Sequence, residues 1–277
     1  MDIALNDNEF ALFQRLVYEE SGINLSTAKK ELLKSRLMKR LRQMSLTSFN
    51  QYFKYVTEED KTGVELIHMI DSISTNLTDF FRESAHFDFL ANKLLPDLLE
   101  QKRKKRERRI RIWSAGCSSG EEPYTLSLVL IENITELQQW DVKILATDLS
   151  TKVLKKAMQG IYSKDRLKNV PSSLVNTYFT KGVGNNSDYY QVKDELKNLI
   201  TFRRFNLMDG MFPFKGLFDV IFCRNVMIYF DKQTQSELIA KYYKYLAPGG
   251  YLFIGHSESL SGTGSGFRYV LPTIYQK

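Results

Sequence analysis

Residues 110–124 read IRIWSAGCSSGEEPY, and this stretch decides the fold. Ile110, Ile112 and Trp113 begin a short strand, residues 114–120 form a loop of small side chains, and Pro123 opens an apolar run that predicts a helix to about Ile134. A strand, a small-residue loop and a helix N-terminus make a nucleotide-type site, because small residues let the backbone approach a ligand closely. Downstream the alternation repeats. Residues 142–146 read as a buried strand ending in Thr147-Asp148, and Ser150 caps a helix closed by Gly160. Residues 218–223 are a third apolar strand. A helix over 232–245 then turns through Pro248-Gly249-Gly250 into a strand at 251–254. Alternating strands and helices imply an α/β domain with a mostly parallel sheet. Residues 181–205 break the rhythm. Gly182, Gly184, Asn185 and Asn186 are turn residues flanked by Tyr189, Tyr190 and Val192, and the segment reads as a small β insertion that includes 199–202.

Upstream the pattern is helical. Asn6 or Asp7 can cap a helix carrying Phe10, Phe13, Leu16 and Val17 and closed by Gly22. Ser26 can cap a second, with Leu33, Leu37, Leu41 and Met44 on one stripe. Helical patterns follow at 49–56, 64–73 and 85–101, the last running into KRKKRERR at 102–109, which reads as an exposed helix end or connector.

With 277 residues, 43% hydrophobic and 26% charged, the chain can bury a sizeable core. Its 18 Phe and 15 Tyr are too many for a disordered chain. No apolar run reaches the roughly 18 residues of a membrane span, and the polar start MDIALNDNEF is not a signal peptide. The two cysteines, Cys117 and Cys223, lack metal-type spacing and fit a reducing compartment as small packing residues. The net charge of +7 raises a nucleic-acid partner as a question. Its sources are two runs, 26–43 and 102–109, either of which a solvated face or linker would also explain.

The loop at 114–120 is not a dinucleotide fingerprint. Glu121 and Glu122 stand where a phosphate would meet the helix N-terminus, which disfavours a pyrophosphate and suits a cationic ligand. The same two acids would also favour the helix dipole, with Pro123 in the first turn. Asp148, at the end of the second strand, can accept both hydroxyls of a ribose. Arg82 follows two phenylalanines that would anchor it, and it reads as a carboxylate ligand or as a surface ion pair with Glu83 or Asp79. Tyr229 lies just past a buried strand, where open α/β sheets bind ligands; a core aromatic is the other reading. His256 is a candidate base or a loop-packing residue.

Five stretches, in this order and spacing, resemble the chemotaxis receptor glutamate O-methyltransferase (CheR) family: STNLTDFFRE at 74–83, WSAGCSSGEEPY at 113–124, ATD at 146–148, FDVIFCRNVMIYFD at 218–231 and GHSE at 255–258. The resemblance covers nearly the whole chain, with Ser74 where the family commonly has Thr. It implies an α/β chain. An N-terminal all-helical receptor-recognition domain (1–85) and a linking helix with its basic connector (86–109) precede a Rossmann-like S-adenosylmethionine-dependent methyltransferase domain (110–277). A small antiparallel β subdomain is inserted at about 181–205. S-adenosylmethionine, leaving as S-adenosylhomocysteine, is the implied methyl donor, and its sulfonium and α-ammonium suit the acid-bearing loop. The implied donor-binding residues are Asn76, Thr78, Arg82, Glu122, Asp148, Asn206, Leu207, Arg224 and Asn225, with Arg82 and Tyr229 as the catalytic pair and no metal.

The implied partner is the cytoplasmic helical region of chemotaxis receptors, with their C-terminal peptide held on the β subdomain in some family members. The protein is then cytoplasmic, recruited to membrane receptor arrays without inserting into the membrane. Arg36, Lys39, Arg40 and Arg42 on the second helix would meet the glutamate-rich receptor surface, with Lys29 on the same outward face and Leu33, Leu37, Leu41 and Met44 opposing it. A nucleic-acid methyltransferase is the first alternative. It lacks support: residues 223–226 read CRNV without Pro-Pro, and neither cysteine follows a proline. A non-catalytic receptor-binding adaptor is the second, and a degraded donor loop would favour it.

Overall fold

The computed structural model describes residues 3–277. Helix α1 (Asp7–Ser21) starts with a capping box, in which Asn6 and Glu9 each bind the other's backbone N–H, and stops at Gly22 in the left-handed region. Ser26 stands before a single 3-10 turn without a side-chain capping bond, and α2 begins later than its sequence suggests, at Lys30–Gln43. Helices α3 (Phe49–Lys54) and α4 (Val64–Ile73) complete a small bundle around Phe13, Leu33, Leu37, Leu41, Phe49 and Tyr52. Helices α5 (Ala85–Phe89) and α6 (Leu95–Lys104), joined by one wide turn, lead into the second half.

There, among the described residues, a seven-stranded sheet has the order β6-β2-β1-β7-β8-β10-β9. Strands β1 (Arg109–Ala115), β2 (Asp141–Asp148), β6 (Ile200–Arg204), β7 (Phe218–Cys223) and β8 (Leu246–Ile254) pair in parallel. The closing pair β9 (Arg268–Leu271) and β10 (Ile274–Gln276) runs antiparallel. Apolar clusters cover both faces, which is why β7 reads as a continuous apolar run instead of alternating. Helices α7 (Glu121–Asn133) and α8 (Thr151–Gln159) follow β1 and β2, and α11 (Lys232–Tyr245) precedes β8.

The small antiparallel sheet differs from its sequence reading. It consists of β3 (Ile161–Ser163), β5 (Tyr189–Val192) and β4 (Phe179–Lys181), in that order, with the short helices α9 (Ser172–Tyr178) and α10 (Asp194–Lys197) beside it. Residues 200–204, expected in the insertion, instead form β6 on β2. A strand of only five residues carries no mark of which sheet it joins. The basic run is an exposed helix end and connector as read, except at one residue. Lys102 is buried and bonds Asp219 at 2.8 Å and Glu107 at 3.1 Å, tying α6 to the first residues of β7. Among the described residues, no helix is long and apolar enough to cross a membrane.

The helical bundle is docked through specific polar contacts. Asp71 of α4 accepts from the backbone N–H and hydroxyl of Thr151 at 3.0 and 2.9 Å, capping α8 from outside. Tyr18 donates to Asp231 at 2.7 Å, Asn206 donates to the Glu20 carbonyl at 2.8 Å, and the Asn24 N–H reaches the Tyr229 carbonyl at 2.8 Å.

Candidate active site

The ends of β1, β2 and β7 point at the bundle, and a cavity of about 300 Å³ lies between them. All nine expected donor-binding residues line it, as does Tyr229. Its floor is the loop after β1. Thr147 O accepts from the N–H groups of Gly116 and Cys117, both at 2.8 Å, which folds the loop back over β2. Gly120 has a φ of +98°, and a Cβ there would stand 2.9 Å from that of Ala157, so this turn requires glycine. Trp113 anchors the strand beneath: it is fully buried and donates to the Thr147 hydroxyl at 2.8 Å.

The two acids after Gly120 divide. Glu122 accepts from Ser114 Oγ at 2.7 Å and Arg224 Nε at 2.8 Å, so it meets the cavity as half of a neutral pair. Glu121 turns away, buried against Arg166 and the Ser119 hydroxyl, and does not line the cavity. The expectation of two carboxylates facing a cation therefore reduces to one, already paired. Asp148 is different. It accepts from the backbone N–H groups of Ser118 (2.8 Å) and Ser150 (2.9 Å) and contacts no cation among the described residues. Burial pushes its pKa up to about 6. A carboxylate held this way, with acceptor capacity left over, suits hydroxyl donors such as a ribose diol.

Arg82 donates to the Leu77 carbonyl at 2.8 Å and has no carboxylate partner among the described residues. Both acids that could have claimed it are taken: Asp79 lies 3.3 Å from Arg166 and Glu83 lies 3.4 Å from Arg224. Its remaining donors are free for a ligand carboxylate. Arg224, buried and stacked over Phe87, also donates to the Arg82 carbonyl (2.6 Å) and to His86 Nδ1 (3.1 Å). Burial and then Arg224 hold the His86 pKa down at about 4, so the ring is neutral at pH 7 and gives its Nε2–H to Thr273 at 2.7 Å. Glu83, His86 and His256 converge, and with Arg224 bonded to the first two they form the setting of a buried guanidinium.

Asn225 takes a positive φ of 58° and is pinned by two acids: its N–H donates to Glu258 (3.0 Å) and its amide to Glu83 (3.3 Å). Phe81, Glu83 and Ser118 also have positive φ, so strained backbone gathers around this cavity. Asn206 lines it while bonding the Glu20 carbonyl and the Met208 N–H, and buried Leu207 adds apolar wall. Thr78 is buried and Asn76 half-buried beside Leu77. Tyr229 is half-buried, its hydroxyl 3.5 Å from the Thr75 carbonyl and its ring 5.7 Å from Lys29 Nζ. Glu83, His86, Glu258 and Arg166 were not singled out from sequence. Glu83 and Glu258 do sit inside the motifs STNLTDFFRE and GHSE, whereas nothing local marks His86 or Arg166.

Helix α2 presents only part of its expected outward basic face. Lys39 and Arg42 are exposed, but Arg36 and Arg40 are half-buried and engaged within the chain. Arg40 grips buried Glu65 with two nitrogens, at 2.9 and 2.5 Å, and Tyr52 donates to the same carboxylate at 2.7 Å. Arg36 reaches the end of α4, bonding the carbonyls of Ile73 and Ser74 and the hydroxyl of Thr75. A long side chain on the rim of a helix can bend back onto its neighbours, which periodicity does not reveal.

Two family models cover the chain: "CheR methyltransferase, all-alpha domain" matches residues 8–74, and "CheR methyltransferase, SAM binding domain" matches residues 76–275. A chemotaxis protein methyltransferase of Borreliella burgdorferi is 45% identical over all of this chain and 96% of its own length. One of Escherichia coli is 38% identical over 99% of this chain and 92% of its own. A solved glycopeptide N-methyltransferase complexed with sinefungin matches 64% of this chain and 50% of its own, at 14% identity and a TM-score of 0.36.

Proposed function

The chain belongs to the CheR methyltransferase family, binding S-adenosylmethionine and acting as a methyltransferase in chemotaxis, and from that premise we propose that it methylates glutamate side-chain carboxylates of chemotaxis receptors. The observation that carries this reading is the one cavity lined by all nine donor-binding candidates and Tyr229.

The cavity fits the donor. Asp148 is its acid without a cation and would hold the ribose. Arg82 is its guanidinium without a carboxylate and would hold the donor's carboxylate or orient the acceptor's. Asn206 and Leu207 would flank the adenine. S-adenosylmethionine supplies a methyl group on a positively charged sulfur, which leaves as a neutral thioether. A glutamate of ordinary pKa, about 4.3, is already an anion at pH 7 and needs no base. The protein's task is then to strip water from that carboxylate and hold it in line. Tyr229 and Arg82 stand at the cavity wall for positioning. A full Arg–carboxylate pair would blunt the nucleophile, so Arg82 orients the acceptor without neutralising it.

Lys39 and Arg42, exposed on α2, are the remaining candidates for meeting an acidic helical receptor surface. Replacing both with Ala should raise the apparent receptor KM, and raising ionic strength should do the same to the parent protein. The enzyme would work in the cytoplasm, at membrane receptor arrays. The direct test is transfer of labelled methyl to receptor membranes followed by mild alkali. Label released as methanol, and lost when the receptor glutamates are changed to Gln, is the expected result. Alkali-stable label, or label on added nucleic acid alone, would remove this reading.

A further inference from the structure

Residues 74–79 form neither helix nor strand, yet Ser74, Thr75, Asn76, Leu77 and Thr78 all line the donor cavity. A segment without regular structure needs other partners for its backbone. From Ile73 to Thr78 every carbonyl accepts from a side chain: Ile73 and Ser74 from Arg36, Thr75 from Tyr229, Asn76 from Ser118, Leu77 from Arg82 and Thr78 from Arg166. Two of these donors stand at the segment's ends and come from opposite sides. Arg36 projects from α2 of the bundle and covers two consecutive carbonyls as well as Thr75 Oγ1, at 3.2 Å. Arg166 follows β3 of the small sheet. It bonds the Thr78 carbonyl at 2.5 Å and Asp79 at 3.3 Å, and it pairs with buried Glu121, the neighbour of Glu122.

We propose that Arg36 and Arg166 are positioning residues for methyl-donor binding, clamping residues 74–79 against the cavity from its two ends. The proposal rests on the reading of this cavity as the S-adenosylmethionine site. The chemistry favours arginine at both places. The guanidinium is a planar fork that can serve several acceptors at once, where an ammonium serves as a point charge. At Arg36 the acceptors include the last carbonyls of α4, which lack helical partners and carry the negative end of its dipole. The position of Asn76 and Thr78, and of the Leu77 carbonyl that steadies Arg82, then depends on two side chains that do not line the cavity. It also links the donor site to both the bundle and the small sheet.

This assigns Arg36 a role opposite to that of a receptor contact, and the two roles separate in one experiment. Arg36→Ala, Arg36→Lys, Arg166→Ala and Arg166→Lys are titrated with S-adenosylhomocysteine by calorimetry, alongside hydrogen–deuterium exchange of residues 74–79 and steady-state kinetics. The clamp predicts that Arg36→Ala raises the Kd roughly tenfold, with Arg36→Lys falling between it and the parent. Exchange across 74–79 should quicken, and the donor KM should rise more than the receptor KM. Arg166→Lys should raise the Kd in the same way. If Arg166→Ala fails to fold because Glu121 loses its partner, Arg166→Lys decides; if Arg36→Ala fails, Arg36→Lys decides. Parent-like Kd and parent-like exchange in the folded variants, with a raised receptor KM, would overturn the clamp and return Arg36 to the receptor surface. A parent protein that binds no S-adenosylhomocysteine would sink the donor reading itself, and the clamp with it.

Discussion

If Asp148 holds the donor's ribose as proposed, it ties donor binding to pH in a way that can be measured. Burial holds its pKa at about 6, against an ordinary value of 3.8. A ribose diol donates to the ionised carboxylate, so binding should need Asp148 deprotonated. If only that form binds, the apparent Kd scales as one plus the ratio of protonated to ionised carboxyl. It is nearly unaffected at pH 7.5 and about tenfold weaker at pH 5, a change of about 1.4 kcal/mol. The sign for folding is the reverse. The folded-state pKa is raised, so the ligand-free protein takes up a proton here on folding between about pH 4 and 6. Its stability from this group rises as pH falls through 6, by about 3 kcal/mol or less. Affinity and ligand-free stability should thus move in opposite directions on acidification. Glu258 is also raised by burial, and its carboxylate holds the Asn225 and Ile228 N–H groups, so it could contribute on the same side. Asp148→Asn separates the two. The measurement is calorimetric titration with S-adenosylhomocysteine from pH 7.5 to 5 on parent and variant. The parent should lose about a factor of ten, and the variant should bind more weakly at pH 7.5 with most of the slope gone. A flat parent profile, or the full slope surviving in Asp148→Asn, would refute the ribose role.

Tyr229→Phe should lower turnover more than S-adenosylhomocysteine affinity, while Arg82→Ala should impair both; parent rates on receptor membranes in both variants would remove the catalytic assignment. Arg40→Ala strands buried Glu65, and thermal or denaturant unfolding should show a loss of about 3 kcal/mol; a loss under 1 kcal/mol would mean the pair is solvent-screened. One edge of the small sheet is β4, paired on one side with β5, and it should take up a receptor C-terminal peptide as an added strand. Absence of binding in a pull-down, with normal methylation of tail-less receptors, would reject that dock.

What was legible in the sequence followed from local signals. The strand–loop–helix at 110–124 works because its small residues, its glycines and Pro123 each have one conformational meaning, and the structure places β1, the turn at Gly120 and α7 there. The helix start at Asn6 or Asp7 and the stop at Gly22 were legible for the same reason, and the structure settles the cap on Asn6. Strand Ile200–Arg204 was assigned to the wrong sheet because its partner, β2, lies more than fifty residues upstream and its own five residues carry no pairing signal. Lys102 was hidden in the opposite way. Seven of the eight residues in KRKKRERR are basic, and only the fold shows that this one meets Asp219.

The candidate donor-binding residues could be named as a group because motifs preserve identity and order, and the structure brings all nine to one cavity. The role of α2 could not be named, because periodicity states which residues share a face and nothing about what that face meets. Arg36 and Arg40 sit one turn apart, as do Leu33 and Leu37, and the basic row was assigned outward, to an acidic receptor surface. Yet Arg40 satisfies a carboxylate beneath the bundle surface and Arg36 satisfies carbonyls at a helix end, both unmet polar groups that the fold had to answer. A charge on a helix is therefore best assigned after the neighbouring acceptors have been counted. Under the two proposals made above, α2 would keep Lys39 and Arg42 for an acidic partner and commit Arg36 to the donor segment. One helix would then face both reactants, so ordering the methyl donor and docking the receptor would share a structural element and are expected to influence each other.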